Sequence, residues 1–170
     1  MTISIMWVLF AATVAAAAVT DVRTYRIPNA IVLVLLGLFA VAASYAVYRH
    51  MPVSWVNHLS AGLLSLVVGL VLYGTRQMGA GDVKLLAALA LWAGLPALPF
   101  LLFWIAVCSL GVLAIMLAAR LMMSRRALYQ PAGASLPRAL RKGEGVPYGL
   151  GIALGAIVAS THFQPWLWKI

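Results

Sequence analysis

The sequence contains very few acidic residues. Among its 170 residues, only Asp21, Asp82 and Glu144 carry a carboxylate side chain. Charged residues of both signs make up 9% of the chain, whereas a soluble globular domain contains about a quarter. Hydrophobic residues make up 65% of it. This composition excludes an ordinary soluble domain and predicts an all-α polytopic membrane protein, with residues 1–170 forming one domain.

Cysteine is equally scarce. The single cysteine, Cys108, lies in an apolar run, which excludes a disulfide within the chain and a cysteine-based zinc site. The histidines, His50, His58 and His162, fall in separate loop or terminal regions, so we expect no metal site and no cofactor. The net charge of +9 would suggest nucleic acid binding in a soluble protein. In a membrane protein it is better explained by cytoplasmic loops near anionic headgroups, and we expect no nucleic acid partner.

Long apolar runs predict the membrane spans. A hydrocarbon-spanning helix needs about 20 apolar residues, and fewer where it is short or re-entrant. Six segments qualify, and the fourth is the shortest because "GLPALP" at 94–99 separates it from the fifth. The predicted spans are about 3–20, 30–48, 59–74, 83–95, 97–119 and 147–163.

The distribution of basic residues supports six spans. With the N-terminus outside, every Lys and Arg except Arg49 and Lys169 lies on the cytoplasmic side, as the positive-inside rule requires. If segment 83–95 did not cross, the basic loop 120–146 would move outside and the asymmetry would largely vanish. We therefore predict that this loop is cytoplasmic and rests on anionic lipid headgroups, with partner binding as the alternative.

This topology brings two of the three acidic residues to one membrane face. Asp21 follows the first span and Asp82 precedes the fourth, and ionisable groups at such a depth tend to be functional. The structural alternative is that Asp82 only caps its helix. That account fits Asp21 less well, because it follows a helix C-terminus, where the dipole disfavours negative charge unless Arg23 and Arg26 compensate.

The residues around Asp82 favour a functional pair. Gly79 and Gly81 permit positive φ and the close approach of another chain. Two carboxylates at short range share a proton, so one can act as general base on water while the other polarises a scissile carbonyl. The dipole argument predicts that Asp82 ionises more readily and that Asp21 holds its proton longer.

Three segments resemble the type IV prepilin peptidases. "GAGDVKLLAAL" (79–89) resembles their G-x-G-D signature, "DVRTYRIPNAIV" (21–32) their other aspartate segment, and "VPYGLGIALG" (146–155) their last-helix motif. The resemblance implies a membrane aspartic endopeptidase of the bacterial cytoplasmic (inner) membrane, with Asp21 and Asp82 catalytic. The implied substrate is a prepilin, whose polar leader is removed from a hydrophobic helix at the cytoplasmic face.

The sequence departs from the larger members of that family in one respect. Those members carry a cytoplasmic insertion with paired C-x-x-C motifs, associated with methylation of the new N-terminus. Here only a few residues separate Asp21 from Ala30, and Cys108 is alone. The short form resembles the peptidases of tight-adherence (Flp) pilus systems, so we expect no methyltransferase activity.

Several further residues are candidates for supporting roles. Lys84 is a candidate to meet a substrate carboxylate or lipid phosphate, or only contributes to the positive-inside bias. Pro28 is expected to start the second span, and Asn29 to hydrogen-bond the loop. Candidates for a substrate groove begin the last span: Pro147, Tyr148 and Gly149.

Two readings of the sequence compete with a peptidase. One is a proton-coupled transporter or channel component in which the carboxylates form a relay. The other is a non-enzymatic subunit of a pilus or secretion assembly. In the last span, Gly151 and Gly155 form a G-x-x-x-G pattern, which favours close helix packing over a role in shaping a groove.

Overall fold

The computed structural model describes the backbone of residues 2–126 and 148–163, and the side chains of residues 5–122 and 148–163. This part of the chain is helical. It comprises α1 (Thr2–Thr24), α2 (Asn29–Tyr48), α3 (Trp55–Gly74), α4 (Ala80–Arg126) and α5 (Tyr148–Ala159), followed by a short 3₁₀ turn at Ser160–His162. The prediction of an all-α protein is confirmed. The helices α1 to α4 are each long and apolar enough to cross a membrane, and α5 is a shorter apolar helix.

The first helix is longer than predicted. It continues past Thr20 to Thr24, so Asp21 lies in its last turn and not beyond its end. The threonine hydroxyls of this turn are satisfied within the helix, since Thr24 Oγ1 donates to the carbonyl oxygen of Thr20 at 2.8 Å. Tyr25 then adopts φ 53°, which ends the helix and turns the chain toward α2.

The third helix also begins earlier than predicted, at Trp55 and not near residue 59. Its first turn contains His58, which is therefore helical and not in a loop. The ring is fully buried, and Nδ1 lies 2.7 Å from the carbonyl oxygen of Leu91. That bond to a backbone oxygen lets a polar side chain occupy the interior of the bundle.

The fourth helix contains the interruption that the sequence predicts between two spans. Gly94 has φ 71° and ψ 167°, so α4 consists of an arm before Gly94 and an arm after it. A side chain at Gly94 would be strained, and its Cβ would lie 3.3 Å from the His58 ring. Pro96 falls in the first turn of the second arm, where its missing N–H is tolerated.

The two arms differ in length. At 1.5 Å per residue the first arm is about 21 Å long, shorter than a hydrocarbon core of about 30 Å, and the second is about 48 Å long. The helix continues to Arg126, so the start of the predicted loop 120–146 is helical. The rest of that loop, Glu144 and Pro147 lie outside the described residues. The count of six crossings and the outside N-terminus stay predictions.

The last helix packs α1 and α4 together. A Cβ at Gly151 would collide with Ser109, and one at Gly155 would collide with the backbone of Ile105. The G-x-x-x-G face of α5 therefore lies directly on the second arm of α4, as predicted for close packing. Because α5 also packs against α1, its N-terminus is held beside the last turn of α1.

Candidate active site

The two aspartates line one cavity, although 61 positions separate them in the sequence. The cavity has a volume of about 350 Å³. The end of α1 and the turn after it form one wall, the start of α2 a second, and the start of α4 a third. The lining residues are Asp21, Tyr25, Arg26, Ile27, Asn29, Gly79, Ala80, Gly81, Asp82 and Lys84.

The last turn of α1 carries Asp21, and the start of α5 fixes its carboxylate. The backbone N–H of Gly149 donates a hydrogen bond of 2.8 Å to Asp21 Oδ2, and the backbone of Leu150 also contributes. The side chain is 6% exposed. A Cβ at Gly149 would lie 2.8 Å from the same oxygen, so only glycine fits here without displacing the carboxylate. Gly149 is thus a buried hydrogen-bond donor to Asp21, and it is not among the residues that line the cavity of the aspartates.

The first turn of α4 carries Asp82. Its carboxylate accepts a hydrogen bond from the backbone of Gly79, and its charge interacts with that of Asp21. A Cβ at Gly79 would lie 2.9 Å from Asp82 Oδ2. As with Gly149, the absent side chain is what allows backbone and carboxylate to meet. Neither Gly79 nor Gly81 has positive φ, so the predicted close approach is used and the predicted backbone freedom is not.

Gly81 brings the two aspartate segments together. A Cβ at this position would lie 3.1 Å from Ile27 Cβ, in the turn between α1 and α2. The turn can therefore rest on the start of α4, which closes the cavity between Asp21 and Asp82. The sequence pattern gave no indication of Ile27 as a partner, because an isolated isoleucine beside a proline carries no distinctive signal.

A hydrogen bond joins the second and third walls. Lys84 Nζ donates to Asn29 Oδ1 at 3.0 Å, which ties the start of α4 to the start of α2. Pro28 precedes Asn29 as the N-cap residue of α2, with φ −60° and ψ 138°, so it ends the turn and does not belong to the helix. Lys84 and Asn29 thus meet each other, a pairing that the sequence did not predict.

Arg23 and Tyr148, also predicted as site residues, are not among the residues that line this cavity. Arg23 lines a separate small cavity with residues of α1 and Leu150, and it is Arg26 that lines the cavity of the aspartates. Tyr148 is exposed and lines an adjoining cavity of about 580 Å³, together with residues of the α3–α4 turn. Gly79 lines both cavities, so the two meet at its backbone.

The dipole argument for dividing the roles of the aspartates changes with this geometry. The sequence places Asp82 at a helix N-terminus and Asp21 at a C-terminus. The structure adds the N-terminus of α5 beside Asp21, so both carboxylates receive backbone N–H groups at a helix start. Which aspartate ionises first stays a prediction, and helix dipoles alone no longer separate the two.

The polar side chains that line this cavity are two carboxylates with cationic, phenolic and amide groups beside them. Within residues 5–122 and 148–163, no group of three His, Cys, Asp or Glu side chains is placed to hold a metal ion. Cys108 lies on the second arm of α4 and is not among the residues that line this cavity. The groups present suit acid–base chemistry by two carboxylates, with cationic and amide side chains beside them.

Comparison with known proteins identifies the family of this chain. No curated protein and no solved structure matches the chain. The family model of the type IV leader peptidase family matches residues 8–117, which is more than half of the sequence and includes both aspartates. The match confirms the resemblance seen in the sequence motifs. The chain belongs to the type IV leader peptidase family.

Proposed function

We propose that this protein is a membrane aspartic endopeptidase that removes the leader peptide from prepilin-like precursors, with Asp21 and Asp82 as its catalytic residues. The observation that carries the proposal is their shared cavity. Two carboxylates on different helices line the same space, and each is held by backbone N–H groups that a glycine allows to approach. Membership of the leader peptidase family supports the same chemistry.

The reaction needs the two carboxylates in different protonation states. The ionised carboxylate takes a proton from a water molecule, whose oxygen attacks the scissile carbonyl carbon. The protonated carboxyl donates a hydrogen bond to the carbonyl oxygen, which gains negative charge in the tetrahedral intermediate. When the C–N bond breaks, a proton passes from the pair to the leaving nitrogen, giving a free amine and a new carboxylate. No cofactor takes part in this scheme.

The glycines of the site suit a peptide substrate. Gly79, Ala80 and Gly81 line the cavity with main chain and a single methyl group, so a peptide backbone can lie beside Asp82. Such a substrate would approach where the cavity of the aspartates and the neighbouring Tyr148 cavity meet at Gly79. We propose that Tyr148 lines the route of the leader, while Gly149 positions Asp21.

The membrane setting follows from the topology predicted above. With the N-terminus outside, the site faces the cytoplasm of a bacterium, at its cytoplasmic membrane, where a newly made precursor presents its leader. The basic segment 120–146 would then meet anionic lipid on the same face. We propose a substrate of the tight-adherence (Flp) type, and no methylation of the product, because the chain lacks the paired C-x-x-C motifs of the longer peptidases.

Co-expression tests the proposal directly. A prepilin-like precursor is expressed with the wild-type chain, with the Asp21→Asn variant or with the Asp82→Asn variant, and leader loss is measured as a mobility shift and by N-terminal sequencing. We expect cleavage with the wild type alone. An absence of cleavage with wild type across several precursors would contradict the peptidase proposal and favour a transporter component or an assembly subunit.

A further inference from the structure

An apolar groove runs along the outer surface of the bundle, between α2 and α3. The first arm of α4 forms its floor, with Ala87 and Leu91, and α3 forms one wall, with Leu59 and Leu63. Its volume is about 370 Å³, and every lining residue except Lys84 is apolar or glycine. Within the described residues α2 and α3 do not pack extensively against each other, whereas both pack against α4. The groove is therefore open toward the lipid along its length.

One end of this groove meets the cavity of the aspartates. Lys84 lines both, and its Nζ bonds to Asn29, which also lines the cavity. The groove follows α4 from Lys84 to Leu91 and α3 from Leu66 to Leu59. Seven helical steps correspond to about 10 Å, so the groove can seat about two turns of a helix. The polar cavity of the aspartates and the apolar groove thus join end to end at Lys84.

We infer that this groove, between α2 and α3 on the floor of α4, docks the apolar helix of the precursor whose leader occupies the cavity of the aspartates. The inference rests on the proposed function, because only a substrate with a polar segment joined to an apolar helix matches both parts. The helix would lie along Leu63 and Leu91 in the membrane, and its polar end would pass Lys84 to reach Asp82.

The packing of the groove favours a helix as its occupant. Gly62 and Ala87 remove side-chain bulk at its centre, and small residues are what allow helices to approach closely in a membrane. A Cβ at Gly62 would be in ordinary van der Waals contact with Leu91, at 3.4 Å, so the floor and this wall already meet. The space above them is what a docking helix would fill.

Site-specific photo-cross-linking tests the docking without depending on turnover. Benzoylphenylalanine replaces Leu63, which lines the groove, or Leu64, its neighbour in sequence, which does not. Both leucines are exposed, 63% and 50% respectively, so the control differs in direction and not in access. The Asp82→Asn variant carries the probe so that the precursor is not consumed, and the precursor bears an epitope tag.

We expect the precursor to cross-link to the probe at position 63 and not to the probe at position 64. Equal yields at the two positions, cross-links to lipid alone, or cross-links to a second copy of this chain would each overturn the inference. Cleavage of the same precursor by the wild type is measured in parallel. That result tests the peptidase proposal separately, since cleavage without cross-linking at position 63 defeats only the docking site.

A steric block gives a second test. Gly62→Leu adds a side chain against Leu91 on the floor of the groove, and Gly111→Leu makes the same change where a Cβ has nothing within 4 Å. We expect Gly62→Leu to raise the KM for the precursor by about tenfold with little change in kcat, and Gly111→Leu to leave both near wild type. A KM unchanged by Gly62→Leu in folded protein would contradict docking in this groove, and the cross-linking result decides if that variant does not fold.

Discussion

The two ends of the bundle are formed by the same helices, but one is filled with aromatic side chains and the other contains a cavity. At one end, the rings of Phe10 of α1 and Trp92 of α4 pack at a tilt of 51° with centroids 4.9 Å apart, and the Phe39 ring of α2 packs edge-on against Trp92. At the other end, Asp21 of α1 and Asp82 of α4 line a cavity. About ten residues separate the two ends on each helix, which corresponds to about 15 Å.

The two ends differ in the surroundings of their polar atoms. In the aromatic end, Trp92 Nε1 donates to the carbonyl oxygen of Leu35 at 3.0 Å, and Trp7 Nε1 donates to Ser160 Oγ at 3.2 Å. Both donors therefore form hydrogen bonds within the bundle. In the carboxylate end, backbone N–H groups orient Asp21 and Asp82, and the space beside them remains open. The aromatic end thus packs the helices together, whereas the carboxylate end keeps an open cavity, in which we propose that the substrate binds.

Neutralising either aspartate is the sharpest way to break this comparison. Asp21→Asn and Asp82→Asn each keep the size of the side chain and remove its acid–base function. We expect a loss of about 100- to 10,000-fold in kcat for leader cleavage, with thermal unfolding in detergent close to that of wild type. Substantial turnover in either variant would rule out a mechanism that uses both carboxylates.

A methyl group beside Asp21 tests positioning without removing an acid. Gly149→Ala adds a Cβ that would lie 2.8 Å from Asp21 Oδ2, so the carboxylate must move. We expect kcat to fall by about 100-fold with a smaller change in KM, because displacement of a catalytic group by about 1 Å has effects of that size. The matched control is Gly37→Ala, where a Cβ meets nothing within 4 Å, and it should retain wild-type kcat.

Truncating an aromatic residue should instead affect the fold. Phe10 is 0% exposed and Phe103 is 58% exposed, so Phe10→Ala leaves a cavity and Phe103→Ala does not. Soluble cores lose about 3–5 kcal/mol for such a change. We expect a smaller loss here, because lipid is as apolar as the protein interior and mainly packing is lost. Unfolding in detergent measures this, and an equal destabilisation by both variants would contradict the assignment of Phe10 to the packed core.

The smallest expected effect concerns the bond between two walls of the site. Lys84 and Asn29 are exposed, so their hydrogen bond contributes about 1 kcal/mol or less to the free energy of unfolding. A double-mutant cycle with Lys84→Met and Asn29→Leu isolates this coupling. Additive effects of the two changes would show that the contact at 3.0 Å stabilises nothing.

Much of the fold could be predicted because membrane helices appear in the sequence as long apolar runs. The break at Gly94 was foreseen within "GLPALP", since glycine and two prolines punctuate an apolar run. Helix ends were less accurate. Asp21 was placed beyond α1, and His58 in a loop, because polar residues suggest boundaries. In the structure the hydroxyl of Thr24 bonds within its own helix and the His58 ring bonds to the Leu91 carbonyl of α4, so these polar residues lie inside helices.

The site was predictable by residue type and not by partner. Asp21, Asp82, Gly79 and Gly81 stand out in a chain with three acidic residues. Nothing in the sequence pairs Gly149 with Asp21 across 128 positions, or Lys84 with Asn29 across 55. Arg23 and Arg26 could not be told apart from the sequence, but Arg26, in the turn after α1, lines the cavity of the aspartates, whereas Arg23, in the last turn of α1, lines a separate one.

The sequence by itself determined that this is a membrane protein, where most of its helices lie and which residues are its rare carboxylates. Hydropathy and charge are enough for this, since they are properties of residues counted along the chain. The tertiary structure decided which groups meet. The α5 face of Gly151 and Gly155 packs on α4, and this contact delivers the Gly149 N–H to Asp21. Such a contact depends on helices approaching closely at places where side chains are missing, and only the packed bundle fixes where those places coincide.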